Sequence, residues 1–188
     1  MTQNKFFPFS MMTLPLLLVG ILLFNACIKD DDDGNNNEEE LITSVVLTFT
    51  PTNGGASSVF NFRDTDGAGG ADPVVDNIAL AAATSYALSV KFLDESNAAD
   101  VEDITLEVAE ENVDHLICFE TTGEMPQPAV EDMDDNGAPL GLQSRVITTV
   151  AGNGKLTIRL KHQPDKNAAT PCNTGDSDVE ASFNVTVL

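Results

Sequence analysis

The chain has no tryptophan, one tyrosine, two histidines and nine basic residues against 30 acidic ones. Each scarcity closes off a class of function. With Tyr86 as the single tyrosine, little is left to build the aromatic platforms on which sugars stack. All 30 acidic residues lie after Cys27, against eight basic ones, so that part of the chain carries a net charge of -22. No basic stripe offsets this charge, which makes nucleic acid and anionic lipid headgroups poor partners. Divalent cations, basic proteins and salty surroundings fit better, and acidity also keeps an exported domain soluble. His115 and His162 stand far apart with no Cys or His at short spacing, so no zinc pattern is visible. His162, beside Lys161 and before Pro164, reads as the wet end of a strand. No Gly-x-Ser-x-Gly elbow and no Cys-x-x-Cys motif occurs. No catalytic residue is therefore assigned, and the chain is read as non-enzymatic.

A long apolar run occurs only at the start. Lys5 is the one charge ahead of Phe6–Ala26, whose centre runs from Leu14 to Phe24. A charged start, an apolar stretch and a small residue before a cut describe a secretory signal over residues 1–26. A stretch of about 20 apolar residues can also span a bilayer, but Pro8, Pro15 and Gly20 argue against a permanent span. Ala26-Cys27 resembles the lipobox of bacterial lipoproteins, with Phe24 standing where that pattern usually has Leu. The resemblance implies that Cys27 is lipidated and becomes the new N-terminus. One acyl chain holds a protein only marginally, so stable anchoring takes two or more. Cys27-Ile28-Lys29-Asp30-Asp31-Asp32-Asp33 resembles the surface-export signal of Bacteroidota lipoproteins. That implies a signal at Lys29, Asp30 and Asp31 and an outer-membrane location at the cell surface, or otherwise on the periplasmic face. Asp30 to Glu40 holds no large apolar side chain, which predicts that residues 27–40 form a disordered acidic tether.

Residues 41–188 have the texture of one domain long enough to bury a sizeable core. Val45, Leu47 and Phe49 alternate with more polar neighbours, Pro51–Gly55 turns the chain, and Phe60 and Phe62 share a face on the return. This predicts a hairpin. Further strands are expected near Ile78–Leu80, over Tyr86–Phe92, at Leu116–Phe119 and from Val179 to Val187. The pattern over Asp100–Asn112 fits either a strand or a helix, and its Glu and Ala content favours a short helix. Glu120–Gly141 reads as a long loop. Arg145–Val150 and Lys155–Lys161, joined by Ala151-Gly152-Asn153-Gly154, read as a second hairpin. The fold class predicted is all-β: an immunoglobulin-like β-sandwich of about seven strands with one short helix.

Leu47-Thr48-Phe49-Thr50-Pro51, the Asp- and Gly-rich stretch after Arg63, Pro139-Leu140-Gly141-Leu142 and His162-Gln163-Pro164-Asp165-Lys166 carry a wider resemblance. On these the mature chain is similar to a group of small acidic Bacteroidota lipoproteins, some labelled type 1 periplasmic-binding-fold proteins. The length and pattern read here predict a sandwich rather than the two doubly wound lobes of that label.

Candidate sites are few. Asp132-Met133-Asp134-Asp135-Asn136-Gly137 matches the first half of a calcium loop, with Asp132, Asp134 and Asn136 as oxygen ligands. Gln143 would fall at the position of the usual closing Glu. Asp64-Thr65-Asp66-Gly67, with Asp72 downstream, is a shorter echo. Asp, Asn and Gly also simply make good turns. Cys118 and Cys172 either pair in an oxidising compartment or remain a buried and an exposed thiol. The function expected is a lipid-anchored binding or structural module with a protein or glycan partner. The alternatives are a glycan-binding accessory of a polysaccharide-uptake system and a calcium-stabilised adhesion module.

Overall fold

The computed structural model describes residues 1–2, 40–67 and 69–188. All but residues 1–2 of the signal at residues 1–26, with Cys27, the Lys29-Asp30-Asp31 signal and nearly all of the tether, lie outside the described residues. The chain divides into two units, Met1–Asn36 and Asn37–Leu188, and the second holds every described strand. Its boundary precedes the one expected at residue 41, and the Glu40 side chain is buried in it.

Among the described residues, ten strands and one α-helix follow in order: β1 (Ser44–Pro51), β2 (Ser58–Arg63), β3 (Val74–Val75), β4 (Ile78–Leu80), β5 (Ser85–Leu93), α1 (Thr105–Glu110), β6 (His115–Gly123), β7 (Ala129–Val130), β8 (Gln143–Ile147), β9 (Gly152–His162) and β10 (Asp176–Val187). They form a six-stranded sheet ordered β3-β2-β1-β5-β8-β7 and a four-stranded sheet ordered β4-β10-β9-β6. This is the all-β sandwich that the alternations predict. The expected hairpin is β1–β2, with Leu47 opposite Phe60 and Val45 opposite Phe62. β1 sits inside its sheet, antiparallel to β2 and to β5.

Period-two side chains place the core. Val45, Leu47 and Phe49 of β1, with Leu88 and Phe92 of β5, face Leu156, Ile158 and Leu160 of β9 and Ala181 and Phe183 of β10; all are fully buried. Burying one such large side chain contributes about 2 kcal/mol. Phe49 also meets the Phe60 and Tyr86 rings edge-on at 5.9 and 6.0 Å, the arrangement that ring quadrupoles favour. The short helix falls as expected at α1, whose buried residue is Val108.

Two expectations are corrected. Residues 120–141 are not one loop: β6 continues to Gly123, and β7 pairs with β8. Nor do the runs either side of Ala151–Gly154 form a hairpin, because β8 and β9 belong to different sheets. The chain leaves β8 through Thr148, whose hydroxyl donates to the Ala81 carbonyl at 2.6 Å and accepts from the Thr84 amide at 3.1 Å. This pins a corner rather than a return turn. The glycines taken for the turn lie within β9. A Cβ on Gly154 would sit 2.2 Å from the Thr122 carbonyl oxygen, so this residue is glycine for close strand approach.

Candidate functional site

The loop aspartates gather backbone amides and one lysine. Asp132 accepts from the Gly141 amide at 2.8 Å with one oxygen and from the Gln143 amide at 3.1 Å with the other. Asp134 accepts from the Asn136 and Ala138 amides at 2.9 and 2.8 Å with Oδ1. Its Oδ2 takes the Lys166 ammonium at 2.7 Å, and Lys166 also donates to the Asn112 carbonyl at 2.8 Å. The loop thus carries its own cation, the Lys166 Nζ. Burial pushes the Asp134 carboxyl up, but the Lys166 ammonium and the two amides outweigh it and hold the group below the usual carboxylate range. The side chain of Asn136 is exposed.

Asp64, Asp66 and Asp72 do not converge either. Asp66 closes a turn by accepting from the Ala71 amide at 2.8 Å, and Asp72 is exposed. Asp64 Oδ1 is buried without a hydrogen-bond partner among the described residues. Among those residues, two groups of side chains lie close enough to share one ion: Glu40, His115, His162 and Asp178, and Glu40, Glu107 and Glu111. Neither contains a loop aspartate named from the sequence. Cys118 and Cys172, by contrast, are joined in a disulfide with Cα atoms 5.8 Å apart.

The first of the two groups is built by the fold. His115 opens β6 and His162 closes β9, and the antiparallel register sets them directly opposite each other. Each continues the core-facing parity of its strand, His162 that of Leu156, Ile158 and Leu160. The wet strand end expected at His162 is therefore corrected: the residue is 4% exposed and His115 not at all. Their rings stand 5.0 Å apart between centroids. Asp178 comes from β10 at a β-bulge, where the register with β9 slips between Ser177 and Val179. A bulge adds a residue and re-aims its side chain, and the Asp178 side chain is fully buried beside His162. Glu40 reaches in from the segment ahead of β1.

The geometry is tight. His115 Nε2 lies 3.0 Å from Glu40 Oε1, and His162 Nδ1 lies 3.7 Å from Glu40 Oε2 and 3.8 Å from Asp178 Oδ1. On its other side, His115 Nδ1 is 3.1 Å from the Glu111 carbonyl oxygen. A carbonyl only accepts, so Nδ1 carries the hydrogen and Nε2 faces the Glu40 carboxylate. Glu40 Oε2 and His162 Nδ1 are buried without a hydrogen-bond partner among the described residues. Nearby, desolvation and then the charges of Glu40, Glu111 and Glu102 push the Glu107 carboxyl up, with His115 opposing them. Glu40 and Asp178 also line a cleft of about 380 Å³, with Ile42, Phe62 and Asp64 on its walls.

None of these four residues was marked as a ligand by the sequence. The histidines lack short spacing because pairing between strands, not a local motif, joins them. Glu40 ends an acidic run, and Asp178 falls out of phase with its strand. The one available signal was that His162, just past the predicted strand Lys155–Lys161, continues the parity of Leu156, Ile158 and Leu160. No protein-family model, curated protein or solved structure matches this chain.

Proposed function

We propose that this chain is an exported, lipid-anchored, non-enzymatic β-sandwich module of the bacterial outer membrane, displayed on a tether to bind a partner or serve a structural role. The observation that carries this reading is the Cys118–Cys172 bond. Structural disulfides belong to oxidising compartments outside the cytosol. The bond also uses two of the three cysteines, leaving Cys27, at the Ala26-Cys27 junction, as the remaining thiol for acylation. A protein partner is favoured over a glycan because Tyr86 is turned into the core, its hydroxyl accepting from the Ala81 amide at 2.9 Å. The exposed large apolar side chains among the described residues are aliphatic.

Replacing Cys27 by serine is expected to release the protein from membranes into the soluble fraction, measured by detergent phase partitioning of native cells. Unchanged partitioning would defeat the lipid assignment. Replacing Lys29, Asp30 and Asp31 together by alanine is expected to keep the protein membrane-bound but shield it from protease added to intact cells. Equal cleavage of both forms would remove the export signal from the reading.

A further inference from the structure

We propose that Glu40, His115, His162 and Asp178 together bind one divalent transition-metal ion, with zinc the best-fitting ion, as a structural site that fastens the start of the domain to the β6–β9–β10 ladder. Two imidazole nitrogens and two carboxylate oxygens are a donor set of zinc type, whereas calcium and magnesium take oxygen ligands alone. Zinc bonds to such donors are about 2.0–2.2 Å long in a tetrahedron, which separates neighbouring donors by about 3.3–3.6 Å. The observed distances, 3.0 Å from Glu40 Oε1 to His115 Nε2, 3.7 Å from Glu40 Oε2 to His162 Nδ1 and 3.8 Å from His162 Nδ1 to Asp178 Oδ1, lie around that value.

Three further features agree. Buried polar atoms in folded proteins are nearly always paired. Here Glu40 Oε2 and His162 Nδ1, both on side chains more than nine-tenths buried, face the centre of the group without a hydrogen-bond partner among the described residues. An ion there would engage both. A histidine that ligates a metal through one nitrogen commonly donates the other N–H to a carbonyl, and His115 does so to Glu111. Finally, two carboxylates match the charge of a divalent ion, and the adjoining cleft gives ions a way in. Four protein donors fill a tetrahedral shell with no position left for water, the form of a structural rather than a catalytic site. Such a site does not depend on the lipid anchor, and its test reads a different quantity.

The test is to strip the full chain with a chelator, titrate it with zinc chloride in the presence of excess calcium and magnesium, and follow binding by calorimetry and metal analysis. One zinc per chain is expected, with a rise in melting temperature. His162→Gln and Glu40→Gln are each expected to weaken binding by more than about 100-fold, since even partners behind the ligands cost 10–100-fold, while Asp66→Asn leaves it unchanged. No zinc taken up by the parent chain would overturn the proposal. So would equal binding by the His162 and Glu40 variants, which would mean surface carboxylates alone. If a variant fails to fold, cobalt(II) added to the parent chain decides. Intense four-coordinate visible bands support the site, and the pale spectrum of a six-coordinate oxygen site, or no change, sinks it.

Discussion

Removal of the Cys118–Cys172 bond, by reduction or by replacing both cysteines with alanine, is expected to cost the domain about 4 kcal/mol. The bond closes a loop with a sequence separation of 54. Chain-entropy reasoning puts such a loop between about 3 kcal/mol for 15 residues and about 4.7 kcal/mol for 100. What it joins matters as much as the loop length. Cys118 is buried on β6 with the parity opposite to His115 and Ile117, so the bond lies on the outer face of the smaller sheet. Cys172 sits in the 3-10 turn Pro171–Asn173 between β9 and β10. The crosslink therefore ties the edge strand β6 to the connection between β9 and β10, the two inner strands of its sheet. For a domain of about 150 residues a loss of this size lowers the melting temperature by roughly 8–16 °C. Urea unfolding of oxidised and reduced protein measures it directly. A difference below about 1 kcal/mol would show that the reduced chain's unfolded state is already restrained.

Lys166→Met is expected to cost about 3 kcal/mol, because it leaves the Asp134 carboxylate buried with only its two backbone amides. The two side chains are 8% and 1% exposed. Removing one partner of a buried pair usually costs about 3–5 kcal/mol, and the amides on Oδ1 place this case at the low end. The effect depends on pH in a definite direction. Asp134 titrates below its usual range in the folded protein, so its contribution is present above the unfolded carboxyl value of about 3.9. It is lost as pH falls through the folded value. Acid should therefore narrow the gap between parent and variant. A variant within about 0.5 kcal/mol of the parent at neutral pH, or a gap that widens in acid, would contradict this account.

The sandwich was legible in the sequence wherever one face of a strand is buried and the other wet. β1, β5 and β10 show their period without ambiguity, and the Pro51–Gly55 turn marks the hairpin between β1 and β2. The reading failed where the same local chemistry serves two topologies. Gly152-Asn153-Gly154 has the composition of a turn, yet these residues run along β9, because missing side chains also let strands approach closely. Whether a chain returns in its own sheet or crosses to the other was decided at Thr148, by hydrogen bonds to residues far back in the sequence. In the calcium-like loop, too, a residue distant in sequence enters. Its carboxylates are placed as spacing suggests, but a lysine distant in sequence supplies the positive charge. The group around Glu40 was invisible because each member comes from a different element, and one is re-aimed by a bulge that no local pattern announces.

β1 begins at Ser44, soon after Glu40, and is flanked by antiparallel ladders on both sides. Any tug on the preceding chain therefore acts along the length of an interior strand, with the ladder bonds set across the pull. Such bonds cannot peel away singly; both ladders must slip at once. A body hauled from its leading end thus meets its stiffest direction first.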